Sequence, residues 1–206
     1  MLTERYEEDP FLAHLEKLQQ DSYCVIENYI SPEEVRMFRY EISELEKRAC
    51  FKPAGIGRGQ DLRKDIRGDK IYWIEENSPS PVQKLYLQKL EEIKERVNRY
   101  FFMGLFSVEL HYAIYPPGSF YLRHLDNFLN SNKRMLTAVL YLNKFWEEFH
   151  GGLLKIYKKE KEYKETIIEV PPSPGTLVLF LSRELEHEVS VCYVNRYSLT
   201  SWFKVR

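Results

Sequence analysis

His124-Leu125-Asp126 sets an imidazole and a carboxylate two positions apart. The run Tyr121–His124 is β-prone, and in a strand residues two apart share a face, about 7 Å apart along the chain. Side chains converging at that spacing can chelate one ion. A further donor, His187, opens another β-prone run 63 residues later. Two histidines and one carboxylate form a facial triad, the ligand set of non-haem Fe(II) oxygenases, which leaves open positions for co-substrate and oxygen. An HxD pair alone is weak evidence. The plain alternative is a surface or packed histidine, and His14, His111 and His150 are read that way. Zinc is a rival, but a structural zinc site wants four closing ligands, often thiolates, and no fourth donor is evident.

Nine residues after His187 comes Arg196, in Arg196-Tyr197-Ser198-Leu199-Thr200-Ser201-Trp202. With a period of two, Arg196, Ser198, Thr200 and Trp202 share one face, and Tyr197, Leu199, Ser201 and Phe203 the other. A guanidinium, two hydroxyls and an indole make poor core. A buried arginine needs an anion, which a dicarboxylate supplies through a fork-like pair. An internal salt bridge is the alternative, and proximity to the triad favours the ligand. On the run Met135–Leu142, Thr137, Val139 and Tyr141 share a face. Tyr141 is either a donor to the same carboxylate or an ordinary half-buried strand tyrosine.

These residues need a scaffold. The chain has 206 residues, 44% of them hydrophobic and 30% charged, which suits one globular domain. The net charge of −1 gives no global drive toward nucleic acid or an anionic membrane. Met1 to Pro10 is polar and acidic, unlike a signal peptide, and no apolar run reaches the roughly 18 residues a bilayer span needs. Cys24, Cys50 and Cys192 are widely spaced and odd in number, against a disulfide framework. The expectation is a cytoplasmic monomer with no nucleic-acid or membrane partner.

Residues 1–104 read as mainly helical support and 105–206 as a jelly-roll core within one domain. Glu7 to Gln20 carries an apolar face at Phe11, Leu12, Leu15 and Leu18. Tyr23–Ile26 is a short strand. Ser31-Pro32-Glu33-Glu34 is a capped helix start, with the helix running to about Cys50. A second long helix covers Pro81 to about Phe102. Between them Phe51 to Asp69, with Gly55, Gly57, Gly59 and Gly68, reads as a mobile loop, and Lys70–Glu75 as a strand. Strands follow at Val108–Tyr115, Tyr121–His124, Met135–Leu142, Leu153–Tyr157, Thr166–Val170, Thr176–Leu181, His187–Tyr193 and Tyr197–Val205, parted by Pro116-Pro117-Gly118, Gly151-Gly152 and Pro171 to Gly175. Such strands suggest a two-sheet jelly roll with helices outside one sheet.

The stretches YPPGSFYLRHLDNF, LTAVLYLNKFW, GGLLKIY, SPGTLVLFLSRELEHEVS and NRYSLTSWF, together with Lys64 to Trp73 (KDIRGDKIYW), resemble the 2-oxoglutarate prolyl hydroxylases of the hypoxia-inducible-factor type and their bacterial relatives. The resemblance implies a double-stranded β-helix, Fe(II) on His124, Asp126 and His187, and 2-oxoglutarate and O2 as co-substrates. Arg196 falls on the 2-oxoglutarate anchor, Tyr141 and Thr200 on supporting positions, Tyr115 on a pocket tyrosine, and Trp202 on the cofactor side. Arg67, Asp69 and Arg134 fall at the substrate entrance, with Phe51–Asp69 as a lid. Ascorbate joins the implied cofactors. The implied reaction hydroxylates C4 of a prolyl residue in a protein and releases succinate and CO2. The short Pro116-Pro117-Gly118 turn and the absence of a zinc-finger extension resemble the compact bacterial members, whose kind of target is elongation factor Tu. Two other readings stand: an oxygenase of a free amino acid or other small molecule, and a non-catalytic jelly-roll binding module.

Overall fold

The computed structural model describes residues 9–55, 61–126, 133–159 and 164–206. Three α-helices lie in the first half of the chain, with short strands between them, and each has a local reason for its ends. α1 (Leu12–Asp21) begins later than the apolar pattern suggests. Pro10 has no N–H and turns Asp9 away from helical geometry, and Asp9 Oδ1 instead accepts from the Phe11 N–H at 3.0 Å. The expected residues before Asp9 lie outside the described ones. α2 (Pro32–Lys47) starts with a capping box, the Ser31 hydroxyl and Glu34 carboxylate each accepting the other's backbone N–H. It ends short of Cys50 because Ala49 is left-handed (φ 53°). α3 (Pro81–Phe101) carries the same device on Ser80 and Gln83.

Strands β1 (Tyr23–Ile26), β2 (Lys52–Pro53), β3 (Lys70–Trp73), β4 (Ser107–Tyr115), β5 (Tyr121–His124), β6 (Arg134–Tyr141), β7 (Leu154–Lys159), β8 (Glu165–Val170), β9 (Leu177–Leu181), β10 (Glu186–Val189) and β11 (Arg196–Lys204) form two sheets. The larger has the order β1-β9-β6-β11-β4-β3-β2 and the smaller β5-β10-β7-β8. All pairings are antiparallel. This is the double-stranded β-helix expected.

Two differences from the sequence reading matter. β10 ends at Val189 rather than Tyr193, because its pairing with β5 shifts register between His187 and Val189. The stretch read as one mobile loop is anchored at both ends. Lys52 and Pro53 pair with Ile71 and Lys70, the Gly68 N–H donates to Phe120 O at 3.0 Å, and the Leu122 N–H to Ile66 O at 2.9 Å. The glycine-rich centre of that loop, 56–60, lies outside the described residues.

The helices cover the outer face of the larger sheet. Leu15, Leu18, Phe38, Ile42, Tyr86 and Leu90 pack against Leu110, Tyr112, Leu136, Leu140, Leu199 and Phe203, at roughly 1.5–3 kcal/mol per fully buried side chain. On the inner face Val139, Tyr141, Val178 and Phe180 meet Leu154, Ile156 and Val170 of the smaller sheet. Among the described residues no helix is long and apolar enough to cross a membrane.

Candidate active site

β5 and β10 pair so that His124 stands directly across from His187. Asp126 follows β5 and turns between them. His124 Nε2 lies 3.7 Å from Asp126 Oδ1, and His187 Nε2 lies 3.6 Å from Asp126 Oδ2. One ligand atom from each residue falls within 4.8 Å of the others. His124 Nδ1 sits 2.8 Å from Leu122 O, and His187 Nδ1 3.3 Å from Leu185 O. A carbonyl can only accept, so each Nδ1 carries the proton and each Nε2 lone pair is left for an ion. The Tyr121 ring stacks on His124 at 3.6 Å, and Phe180 packs on His187 at 4.6 Å. The Thr137 hydroxyl donates to Asp126 Oδ2 at 2.8 Å and bonds Ser182 at 2.8 Å.

Protonation follows the same logic. Burial, aided by the neighbouring His124 charge, pushes the His187 imidazole down to about 4. Burial alone raises the Asp126 carboxyl, but the His187 and His124 imidazoles facing it, which become cationic in acid, outweigh burial and hold it well below the usual carboxylate range. An ionised Asp126 and a neutral His187 are the forms that bind a metal.

Arg196, 2% exposed, lies opposite Tyr115 on the neighbouring strand. Its Nε donates to Gly152 O at 3.0 Å and its Nη1 to Ser198 Oγ at 3.3 Å. The Tyr115 and Tyr141 rings flank it, each 5.0 Å away. Among the described residues no acid pairs with it, so the internal salt bridge considered from sequence is not formed there. An unpaired buried guanidinium is costly, and the buried Tyr141 hydroxyl beside it also has no hydrogen-bond partner among the described residues. Both ask for an anion, and a carboxylate fits. The donor set beside them, two imidazoles and a carboxylate with no thiolate, fits Fe(II).

A cavity of about 980 Å³ joins these groups. Ser198, Thr200 and Trp202 line it with Arg196, while Tyr197, Leu199 and Phe203 enter the helix-side core. Tyr115 also lines it; Tyr141 stands behind, against the guanidinium. Arg67 lies in the wall, bidentate to Asp69 (2.7 and 2.6 Å) and over the Tyr121 ring at 4.1 Å. Asp69 is buried beneath it. Arg134, also lining the cavity, pairs with Glu109 at 2.7 Å and lies 3.8 Å over the Trp202 ring.

Sequence reasoning missed three parts of this site. Thr137 was assigned a face but not its bond to Asp126. Tyr121 was read only as strand. Gly152 was read only as turn, yet its carbonyl seats Arg196; the Gly-Gly pair was the available signal.

An open two-histidine, one-carboxylate set inside a double-stranded β-helix, facing a buried arginine, defines the class of non-haem iron oxygenases that take a dicarboxylate co-substrate. Residues 110–204 match the 2OG-Fe(II) oxygenase superfamily. Human Egl nine homolog 1 is 30% identical over 195 residues, spanning 90% of this chain and 44% of that protein. The chain thus spans about half the length of the first curated relatives it matches. The crystal structure of a Pseudomonas putida prolyl-4-hydroxylase is similar with a TM-score of 0.82 at 34% identity, covering 94% of this chain and 98% of that one. A Trichoplax adhaerens prolyl hydroxylase, in complex with a hypoxia inducible factor oxygen degradation domain peptide fragment, is similar with a TM-score of 0.84 at 26% identity, covering 98% of this chain and 91% of that one. The chain belongs to the 2OG-Fe(II) oxygenase superfamily, and its relatives there are prolyl hydroxylases. Members of that superfamily use Fe(II) with 2-oxoglutarate and O2, and His124, Asp126 and His187 could hold the metal here.

Proposed function

We propose that this protein hydroxylates C4 of a prolyl residue in a polypeptide, consuming 2-oxoglutarate and O2 and releasing succinate and CO2. The observation that carries the reading is the pairing, in one cavity, of the open triad with a buried arginine that lacks an acid. His124, Asp126 and His187 hold the metal in this proposal. Arg196 takes the distal carboxylate of 2-oxoglutarate as a planar fork, and Tyr141 and Thr200 support it. Tyr115 and Trp202 wall the pocket and exclude water. Arg67, locked by Asp69, and Arg134, locked by Glu109, shape the side from which the polypeptide enters. Bound iron supplies oxygen activation coupled to 2-oxoglutarate decarboxylation; the protein supplies orientation and dryness. Ascorbate completes the cofactor set.

The proposal extends to the whole chain as one catalytic unit, residues 1–104 supporting 105–206, working as a cytoplasmic monomer on a protein partner. Elongation factor Tu is the first candidate substrate, by the likeness to compact bacterial members. The test is mass spectrometry of that factor, of host proteins and of single-proline peptides after incubation with iron, 2-oxoglutarate and the protein. A proline gaining about 16 Da, one oxygen atom, is expected, and Asp126→Ala should abolish it. Succinate release driven by a free amino acid, with no peptide modified, would overturn the polypeptide reading.

A further inference from the structure

β4 alternates its faces along the site. Leu110, Tyr112 and Ile114 enter the helix-side core, while Glu109, His111 and Tyr115 face the cavity. His111 is 3% exposed and lines the cavity, yet its Nδ1 has no hydrogen-bond partner among the described residues. It is not one of the clustered metal donors. In register it lies between Trp73 on β3 and Thr200 on β11. Its ring stacks on Trp202 at 5.1 Å and 19°, and against Trp73 at 5.0 Å. The three rings thus make one aromatic shelf in the cavity wall, and Trp73 remains 44% exposed.

A side chain needed only for packing there would carry no polar atom. A buried nitrogen left unpaired is destabilising, and such groups in native proteins are normally satisfied. No described residue supplies the partner, the residue lines the cavity, and a ligand held there could supply it; that ligand's chemistry is constrained. Burial, with the charges of Arg67 and Arg134 adding to it, pushes the imidazole down to about 3, against a weaker pull upward from Asp126. His111 is a neutral hydrogen-bonding group near pH 7 and does not attract a carboxylate. Of the cavity's cations, the two that act on this ring, Arg67 and Arg134, already have Asp69 and Glu109. A neutral amide beside an apolar ring fits the shelf, since proline rings dock on aromatic surfaces in extended peptides. The bond before proline offers no N–H, whereas the amide after it carries both donor and acceptor and suits either imidazole tautomer.

We propose that His111 is a specificity-determining residue, its free Nδ1 hydrogen-bonding the peptide amide that follows the target proline. This rests on the prolyl hydroxylase reading above. The role is positioning: His111 selects which polypeptide is held on the shelf.

The probe is a fluorescein-labelled copy of the best-hydroxylated member of a single-proline peptide library, made with the native amide and with an ester after the proline. Binding is followed by fluorescence polarisation, and KM and kcat by mass spectrometry. In the wild type the ester should raise Kd and KM about 3- to 10-fold, the range of one neutral hydrogen bond. His111→Phe keeps the ring and loses the nitrogen. It should raise the amide peptide's KM by a similar factor, with kcat changed less, and should no longer distinguish ester from amide. His111→Asn, which keeps a donor and an acceptor near the Nδ1 position, should recover part of the difference. Equal ester penalties in wild type and His111→Phe would overturn the assignment while leaving prolyl hydroxylation standing. So would an ester without effect on the wild type, a result that needs no variant to fold. Failure of the wild type to hydroxylate any prolyl peptide would overturn both readings.

Discussion

Gly152→Ala isolates the seat of Arg196. Gly152 has φ +63°, and an added Cβ would stand 2.9 Å from Cys192 Sγ, 3.1 Å from Arg196 Cδ and 3.2 Å from Trp146 Cζ2. A left-handed alanine costs about 1–2 kcal/mol, and at least one of those three neighbours must move. Arg196 is the neighbour that matters, because its Nε bond to Gly152 O (3.0 Å) aims the guanidinium. Its contact with a carboxylate is worth about 1.5–3 kcal/mol, and losing about half of that is roughly 3- to 12-fold. The expected result is a KM for 2-oxoglutarate roughly 3- to 12-fold higher, with a Tm lowered by about 2–8 °C for a chain of this size. Succinate release against 2-oxoglutarate concentration gives the first, and a thermal melt the second. Gly151→Ala is the contrast. Its Cβ would sit 2.2 Å from the backbone oxygen of Val191, so it should lower Tm more and shift KM less. A Gly152→Ala protein with lowered Tm and unchanged KM would refute the seating argument.

Arg196→Ala should raise the 2-oxoglutarate KM roughly 10- to 150-fold, and Arg196→Lys should recover only part, since an ammonium cannot form the fork; equal KM values for Lys and Arg would remove the planar requirement. Asp69→Ala leaves Arg67 buried and unpaired, and urea unfolding should show a loss of about 3 kcal/mol; an unchanged midpoint would show the pair to be energetically idle. His111 is held neutral, with its pKa lowered from 6.5 to about 3, so its contribution to stability is full above pH 6.5 and is lost as pH falls toward 3. Between pH 7 and 4 the wild type should lose about 3 kcal/mol more stability than His111→Phe; parallel losses in denaturant melts would refute the assignment.

Much of this was legible because local rules and tertiary demands agree. Ser31 with Glu34 specifies a helix start without help from the rest of the chain. The alternation along Arg196–Phe203 marks a strand with a polar face and an apolar one, and both faces found those environments. Where the reading failed, the deciding partner was distant. β2 is two residues, one of them proline, and is a strand only because β3 lies beside it. The shortened β10 follows from a register shift against β5, which no pattern within either strand encodes. Gly152 announces a turn but not which side chain its carbonyl holds. His111 was set aside as a plain histidine, since nothing near it in sequence reveals two tryptophans brought in by β3 and β11.

The larger sheet is asymmetric about its chemistry. β6 and β11, which carry Thr137 and Arg196, lie in the interior of the sheet, with helices behind them. β3 and β2 hang at one end and carry Trp73 and Lys52 of the cavity rim. A mutation in the interior must satisfy the hydrophobic core and the reaction together. One at the margin answers mainly to whatever substrate lies against it. The architecture therefore gives natural selection two nearly independent dials, allowing the range of targets to drift while the oxidation chemistry stays in place.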